Sequence, residues 1–301
     1  MKSFIHVLGL FLIPIFSYCL FSLFLIPILQ EWRFGPNTEQ QISQSFSNAI
    51  NKDYDILILG NSRIYRGINP DFLIRKAYNF SHDNDSYNQM FYKLKEVLKK
   101  KEIKLLIIGV DYFQFSFISN TRNYVYYDYF DSEYQKDFEE TNISLKTKYL
   151  IQLINPKRII EILKSKGTIS ILKENGQYIK PGIANEKQLS FNSMKMLPLQ
   201  KRYFNEILKL CKLNNIDFFL LMPPSRKKEL DNFTMNEKKK FNSFISKTAS
   251  KFGGKYYNFS NSNDFSMSDF TDITHLNEKA ADKFTKIVND SIKPFIITSH
   301  P

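Results

Sequence analysis

Residues 55–63 read DILILGNSR, an apolar run that ends in a polar turn. Four consecutive aliphatic residues before a Gly-Asn pair are typical of a strand buried on both faces, as in a parallel sheet. The turn after such a strand lies at the carboxyl edge of the sheet, where ligands and reactive groups collect. Gly-Asn-Ser is also an ordinary turn composition. The stretch therefore indicates an α/β fold and marks Ser62 as a candidate nucleophile.

Strand and helix patterns alternate on both sides of this run. Further short apolar runs typical of strands lie at residues 78–80, 104–110, 217–222 and 255–259. Apolar residues recur at helical spacing in residues 85–101, 199–214, 236–251 and about 277–292. This alternation predicts a mostly parallel sheet that is covered by helices on both faces.

The alternation lapses between about residues 112 and 198, where aromatic residues are frequent. We interpret this stretch as an insertion after the third strand. Two readings stay open, namely a lid or docking surface, and a subdomain with its own small core. The predicted organisation is an anchor at 1–33, a linker at 34–52, an α/β domain at 53–111 and 199–295, and the insertion at 112–198.

The N-terminal segment is apolar enough to cross a membrane. From Phe4 to Leu29 it carries no charged residue, which exceeds the roughly 20 residues that a transmembrane helix needs. A cleaved signal peptide is the alternative, but its apolar region usually spans about 7–15 residues, and no small-x-small cleavage pattern occurs at residues 30–33. Because Lys2 favours a cytoplasmic N-terminus, we predict a single-pass anchor with the later residues in the periplasm or at the cell surface.

Charge and cysteine content limit the classes of partner. The net charge of +12 and the pI near 9.4 suggest an anionic neighbour. A membrane anchor argues against nucleic acid and favours lipid head groups or a charged envelope polymer. Cys19 lies in the anchor, so Cys211 is the only thiol in the remaining chain and no disulfide can form there. No cysteine–histidine cluster or Gly-rich phosphate loop is present, so we predict neither a metal nor a cofactor.

A second chemical motif lies just before the last predicted helix, where residues 272–277 read DITHLN. Asp272 and His275 are close enough in a turn for the carboxylate to orient the imidazole, and a hydroxyl nucleophile needs such a base at neutral pH. A lone Asp–His pair is more often structural. His82 is a second candidate because its loop should lie near Ser62, although a histidine in a turn is the commoner interpretation.

Together, the two motifs resemble those of the SGNH/GDSL hydrolase superfamily. GNSR at 60–63 matches its first block and DITHLN at 272–277 its last, and the resemblance covers about residues 53–111 and 199–292. It implies a flavodoxin-like three-layer sandwich, with Ser62 as nucleophile, His275 as base and Asp272 orienting the base. The chain is most similar to membrane-anchored bacterial envelope proteins of teichoic-acid D-alanylation and exopolysaccharide O-acetylation. That similarity implies a multispanning membrane O-acyltransferase as acyl donor and an envelope glycan or polyol as acceptor.

Two positions depart from the superfamily's pattern. Its second block supplies a glycine N–H to the oxyanion, where this chain has Ser81. Its third block supplies an asparagine, where this chain has Asp111. An ionised aspartate cannot donate a hydrogen bond, and losing an oxyanion donor costs a factor of roughly 10²–10³ in rate. Simple hydrolysis of small esters is therefore disfavoured relative to acyl transfer and to a binding role with a degenerate triad.

The remaining candidate residues surround Ser62 in sequence. We expect the backbone N–H groups of Ser62 and Ser81 to stabilise the oxyanion, with Asn61 as a further donor. Arg63 and Arg66 are expected either to bind an anionic substrate group or to cap the following helix, and Asp111 to orient an arginine or a substrate hydroxyl. The predicted function is the transfer of an acyl group, with acetyl as the expected group, to a cell-envelope polysaccharide or polyol. The alternatives are an extracytoplasmic carbohydrate esterase and a non-catalytic scaffold or glycan-binding module.

Overall fold

The structure, a computed structural model, describes residues 2–165, 170–182 and 194–299 of the chain. Its helices are α1 (Lys2–Phe34), α2 (Thr38–Asn51), α3 (Ser62–Gly67), α4 (Tyr87–Leu98), α5 (Asn120–Tyr126), α6 (Ser132–Leu153), α7 (Pro156–Lys164), α8 (Pro198–Leu213), α9 (Lys227–Leu230), α10 (Met235–Phe252) and α11 (Glu278–Ser299). Its strands are β1 (Ile56–Leu59), β2 (Ala77–Asn79), β3 (Leu105–Gly109), β4 (Ile171–Leu172), β5 (Tyr178–Ile179), β6 (Asp217–Met222) and β7 (Lys255–Asn258).

Five strands form one sheet in the order β2-β1-β3-β6-β7, and every neighbouring pair is parallel. Counted along the chain, these five strands have the 2-1-3-4-5 order of flavodoxin-like folds. The predicted α/β fold with a mostly parallel sheet is confirmed. The strand order reverses between β1 and β3, so the carboxyl ends of these strands border the crevice where this fold binds ligands.

Alternate side chains of each central strand enter two separate hydrophobic clusters. Leu57 and Leu59 pack into the larger cluster with residues of α2, α4, α8 and α10. Ile56 and Ile58 pack into the smaller one with residues of α3 and α11. Because successive strand residues point to opposite faces, these clusters make a helix–sheet–helix sandwich of three layers. Its carboxyl edge carries Ser62.

The segment at 34–52, predicted as a linker, is instead largely helical. Asn37 caps α2 in a capping box. Ile42, Phe46 and Ala49 are buried in the larger core cluster. These three apolar residues have helical spacing, but the polar residues between them obscured the pattern in the sequence. Only a short turn therefore separates α1 from the first helix that packs on the sheet.

Helix α1 stands out by its apolar surface. Within His6–Phe34, an 18-residue stretch reaches a mean hydropathy of 2.3, and among the described residues this is the one helix long and apolar enough to span a membrane. Phe11 and Phe24 are examples of its large apolar side chains, which are exposed rather than packed. The end of the helix contacts α6 and α7.

The stretch at 112–198 is described except for residues 166–169 and 183–193. Its first aromatic residues do not form a separate core, because Tyr112, Phe115, Tyr126 and Phe130 belong to the larger cluster on the sheet. The interpretation as a subdomain with its own core is therefore wrong for this part. Farther along, β4 and β5 form an antiparallel hairpin that packs beside the carboxyl edge of the sheet, as described below.

Candidate active site

Ser62 is the first residue of α3 and follows β1 after a two-residue turn. A Cβ atom at Gly60 would lie 2.5 Å from the Ile64 Cβ atom, so only glycine permits this close approach. The Asn61 side-chain oxygen accepts a hydrogen bond of 3.0 Å from the Arg63 N–H, which caps the helix. Since the helix has no internal acceptor for its first N–H groups, the Ser62 N–H is not required within α3.

The structure brings Ser62, His275 and Asp272 into one chain of hydrogen bonds. The Ser62 Oγ lies 2.8 Å from His275 Nε2, and His275 Nδ1 lies 2.8 Å from both Asp272 carboxylate oxygens. Asp272 also accepts hydrogen bonds from the backbone N–H groups of Thr274 and His275, at 2.9 and 3.0 Å. The turn thus holds the carboxylate against Nδ1, so that Nδ1 carries the proton and Nε2 accepts from the serine.

The protonation states suit a base and its orienting carboxylate. Burial raises the pKa of Asp272, but its hydrogen bonds to His275 and to the turn outweigh this effect and hold the pKa well below its ordinary value. Burial lowers the pKa of His275 below 6.5, and the nearby Arg66 cation adds to the shift against the pull of Asp272. At neutral pH the imidazole is neutral beside an ionised carboxylate, as proton abstraction from Ser62 requires.

Arg66 lies at the triad, as one of the predicted site residues. Its Nη1 atom is 3.3 Å from Asp272 Oδ2 and 3.1 Å from His275 Nδ1, and its Nη2 atom donates to Asp83 Oδ2 at 2.8 Å. The guanidinium also lies over the Tyr178 ring, 5.6 Å from the centroid. Arg66 therefore contacts the Asp272 oxygen that does not accept from the N–H groups of the turn. Sequence reasoning did not select Asp83 or Tyr178.

The β4–β5 hairpin connects the insertion to this site. Tyr178 stacks on Tyr65 of α3, with ring centroids 5.0 Å apart and an interplanar angle of 8°. The Thr271 hydroxyl donates to the Lys180 carbonyl oxygen at 2.9 Å, and a Cβ atom at Gly182 would lie 2.5 Å from the Thr271 carbonyl oxygen. The hairpin thus braces both the α3 segment and the residue before Asp272. No local pattern in the sequence indicated this contact.

Arg63 and Asp111 are joined to each other rather than presented to a substrate. Arg63 Nη1 lies 2.7 Å from Asp111 Oδ2 and 3.3 Å from Glu229 Oε1, and Nη2 donates to Ser225 Oγ at 2.6 Å. The Tyr112 N–H donates to the second Asp111 oxygen at 2.8 Å. Both partners of the pair are almost completely buried. The expectation that Arg63 binds an anionic substrate group is therefore wrong, because protein groups already surround its guanidinium.

The same cluster compensates the negative charge of the Asp111 carboxylate. Its carboxylate oxygens both have partners, and the Arg63 cation neutralises its charge. Burial raises the pKa of Glu229 to about 7, with a further contribution from the Asp111 carboxylate and against the attraction of Arg63. Asp111 thus pairs with the arginine that follows Ser62 and ties α3 to the end of β3.

Ser81 does not offer its N–H group as predicted. That N–H donates to Asn79 Oδ1 at 3.2 Å, and the residue is fully buried. The Asn79 amide in turn donates to the carbonyl oxygens of Ile64 and Ile68, at 3.0 and 3.1 Å. The Ser81 N–H is occupied because the Asn79 side chain, two residues earlier, turns back onto the loop and accepts from it. The backbone N–H of Ser62 stays the candidate oxyanion donor.

His82 belongs to a separate buried network. Its Nδ1 atom lies 2.7 Å from Lys93 Nζ and 2.7 Å from Tyr126 Oη, and its Nε2 atom lies 3.0 Å from Ser45 Oγ. Lys93 Nζ also lies 2.5 Å from Asp85 Oδ2. Burial and the Lys93 cation lower the pKa of His82 well below 6.5. The neutral ring therefore accepts from Lys93, which is a structural role away from Ser62.

A cavity of about 640 Å³ lies beyond the carboxyl ends of β6 and β7. Its lining includes Arg226, Lys227 and Lys228 together with several serine and asparagine residues and Phe270, but no acidic residue. Ser225, which also lines it, is hydrogen-bonded to Arg63 beside the nucleophile. The cavity is thus linked through Ser225 to the residue after Ser62, although Ser62, Asp272 and His275 do not line it, and it carries positive charge, amide groups and aromatic surface. Within the described ranges, no group of three or more His, Cys, Asp or Glu residues could hold a metal ion.

No protein-family model and no curated protein matches the sequence. One similar solved structure is that of a provisionally named platelet activating factor from Streptococcus pneumoniae, with 12% identity and a TM-score of 0.45 over 89% of this chain and 96% of that one. Another is a provisionally assigned acylhydrolase from Bacteroides fragilis, with 10% identity and a TM-score of 0.42 over 87% of this chain and 99% of that one. Identities this low assign no activity to this chain.

The pH dependence of Ser62 reactivity tests the role of Arg66. We expect the rate of fluorophosphonate labelling to fall as pH is lowered, with a midpoint below pH 6.5, because burial and Arg66 hold the pKa of His275 under that value. Replacing Arg66 with glutamine removes a cation that disfavours the imidazolium, so the acid limb moves to higher pH. Arg66→Lys keeps the charge and serves as the control. If Arg66→Gln leaves the acid limb of the pH profile unchanged, the Arg66 cation does not lower the pKa of His275.

Proposed function

We propose that this chain is a membrane-anchored, extracytoplasmic serine acyltransferase of a bacterial envelope that moves an acyl group, such as acetyl, onto a polysaccharide or polyol. The observation that carries the proposal is the hydrogen-bonded chain from Ser62 through His275 to Asp272. A serine, a neutral imidazole and an ionised carboxylate in this order are the components of acyl transfer on several unrelated folds.

The reaction proceeds in two halves. His275 Nε2 takes the Ser62 proton while Oγ attacks the acyl carbon of the donor, and the tetrahedral intermediate collapses as His275 protonates the leaving group. The acyl-serine that results is then attacked by an acceptor hydroxyl, whose proton passes to His275 and back to Ser62 Oγ. Asp272 stabilises the imidazolium in both halves, and the Ser62 backbone N–H is placed to stabilise the oxyanion.

The acceptor class is inferred from the cavity whose Ser225 is hydrogen-bonded to Arg63, the residue after Ser62. Its serine and asparagine side chains can hydrogen-bond hydroxyl groups, and the Phe270 ring provides apolar surface. Lys227 and Lys228 favour an acceptor that carries negative charge. Such a lining supports a polyhydroxylated acceptor over water alone, which favours transfer over hydrolysis.

The donor is inferred from the apolar helix. Helix α1 has the length and hydropathy of a single-pass anchor. An anchor that keeps its N-terminus in the cytoplasm places the sandwich on the outer side of the membrane. A multispanning membrane O-acyltransferase then supplies the acyl group at the membrane surface. Without this partner an activated ester can replace the donor.

Acyl transfer by the purified full chain tests the proposal. We expect protein in nanodiscs, given p-nitrophenyl acetate, to acetylate oligogalacturonate, with ester products detected by mass spectrometry. Ser62→Ala should form none, whereas the exposed and distant Ser250→Ala should match the wild type. Lys227→Gln should lower transfer to oligogalacturonate more than to a neutral galacto-oligosaccharide. Release of acetate without ester product indicates an esterase, and the absence of any acetyl-Ser62 indicates a non-catalytic glycan-binding role.

A further inference from the structure

Helix α7 and the end of α6 pack directly against α1. Ile26 of α1 forms a buried cluster with Leu153 and Ile162, to which Leu23 and Ile159 also contribute. The Arg33 guanidinium donates to the Ser165 carbonyl oxygen, so the carboxyl end of α7 is also tied to α1. Residues 145–165, which we call the α6–α7 hairpin, therefore lie beside the apolar helix rather than on the sheet.

The level of this contact along α1 places the hairpin within the depth of a membrane. The uncharged run of α1 ends at Leu29, after which Gln30 and Glu31 follow. At a rise of about 1.5 Å per residue, Ile26 and Leu23 lie about 5 and 9 Å below Leu29. Amphipathic helices bound at a bilayer interface bury their apolar face about 5–10 Å into it. The depth of the α1 contact residues below Leu29 therefore agrees with the depth at which interfacial helices bury their apolar face.

The hairpin also carries apolar side chains that no described part of the protein covers. On α7, Ile159 and Ile162 face α1, while Ile160 and Leu163 on the adjoining stripe are 52% and 55% exposed. Near the end of α6, Leu150 and Ile151 are 51% and 58% exposed. An apolar face that continues from a membrane-spanning helix into its neighbour is suited to contact with lipid chains.

The charges around this face have the sign that membrane surfaces attract. Residues 145–165 contain one acidic residue, Glu161, and five basic residues. These basic residues are exposed and are Lys146, Lys148, Lys157, Arg158 and Lys164. Lysine and arginine on the polar face of an amphipathic helix bind anionic lipid head groups.

We propose that the α6–α7 hairpin is a second membrane attachment, lying in the outer leaflet of the bilayer that α1 crosses. The inference rests on the proposed anchoring of α1. With a single attachment, the sandwich would rotate about the end of α1. Two attachments fix its orientation and its height above the membrane, so that Ser62 meets a membrane-delivered donor in a defined position.

Depth-dependent quenching in nanodiscs tests this proposal on the full chain. In a Cys19→Ser background, where the remaining Cys211 is fully buried, a fluorophore is attached to Leu163→Cys. The lipids contain phosphatidylglycerol and phosphatidylcholine with nitroxide-labelled acyl chains. We expect strong quenching at Leu163→Cys and none at Leu213→Cys, a matched leucine on α8 that is 78% exposed. The native Cys19, labelled in a separate Leu163-intact sample, reports on α1 alone.

The outcomes separate the two claims. Quenching at both Cys19 and Leu163→Cys supports the second attachment. Quenching at Cys19 without quenching at Leu163→Cys overturns it while the anchor stands, and it would indicate that a protein partner covers the hairpin. An unquenched Cys19 overturns the anchor and the second attachment together.

Discussion

Ser62→Ala is expected to abolish covalent labelling of the full chain by a fluorophosphonate, and His275→Ala to lower the labelling rate by about 10²–10⁴-fold, the usual contribution of a general base. Both effects follow from the 2.8 Å contact between Ser62 Oγ and His275 Nε2, since an unassisted serine hydroxyl is a poor nucleophile at neutral pH. The measurement is in-gel fluorescence against time on protein in detergent or nanodiscs. Asp272→Asn is expected to be similarly slow, because the asparagine favours the wrong imidazole tautomer.

Two serine variants control for this result. Ser81→Ala changes a buried hydroxyl near the site, and Ser250→Ala changes an exposed one on α10. Both are expected to label as the wild type does. Labelling of Ser62→Ala at the wild-type rate would place the reactive nucleophile elsewhere. A wild type that no fluorophosphonate labels would show that the triad is not active without its donor partner, or that the chain acts by binding.

Lys93→Met is expected to destabilise the sandwich by about 3–5 kcal/mol, the usual cost of removing one partner of a buried ion pair. Lys93 and Asp85 are both fully buried, and the substitution leaves the Asp85 carboxylate with Tyr126 as its remaining hydrogen-bond donor. The free energy of unfolding can be followed through Cys211, whose buried thiol reacts with a maleimide only as the core opens in urea. Cys19→Ser removes the second thiol from the assay.

A second lysine on α4 makes the control for the buried pair. Lys95 pairs with Asp131 and Glu133 at 2.8 and 3.0 Å but is partly exposed. Lys95→Met is therefore expected to cost less than about 1 kcal/mol. The double variant Lys93→Met with Asp85→Leu should recover much of the loss, since no charge is left unpaired. Equal effects of Lys93→Met and Lys95→Met would show that the buried network contributes no more than a surface pair.

Sequence patterns were sufficient for much of the fold. The apolar runs behind β1, β3 and β6 are confirmed as neighbouring strands, and the 217–222 run matches β6 at both ends. Such runs are reliable because a parallel strand buried on both faces has no room for polar residues. The pattern was less informative for α2, where Ile42, Phe46 and Ala49 are the apolar members of a buried stripe within a polar segment.

Local sequence likewise predicted some residues of the candidate site correctly and others not. Ser62, Asp272 and His275 could be selected because each lies in a turn next to a strong strand or helix signal, and the structure brings the three together. The oxyanion role proposed for the Ser81 N–H was wrong because of a neighbouring side chain, and the anion-binding role proposed for Arg63 was wrong because of groups far along the chain. The Ser81 N–H is taken by Asn79, and the Arg63 guanidinium is taken by groups after β3 and β6.

Local sequence thus located the strands and the polar residues in the turns that follow them, because turn chemistry and apolar periodicity act over a few neighbouring residues. Contacts between distant segments settled which of those groups are free to react. Arg63 reaches Asp111 across 48 residues, and Arg66 reaches His275 across 209. The β4–β5 hairpin and the α6–α7 hairpin likewise find their partners on α3 and α1. Burial lowers the pKa of His275. Burial also requires that Asp111 be paired with Arg63, because a desolvated charge is stable only beside an opposite one.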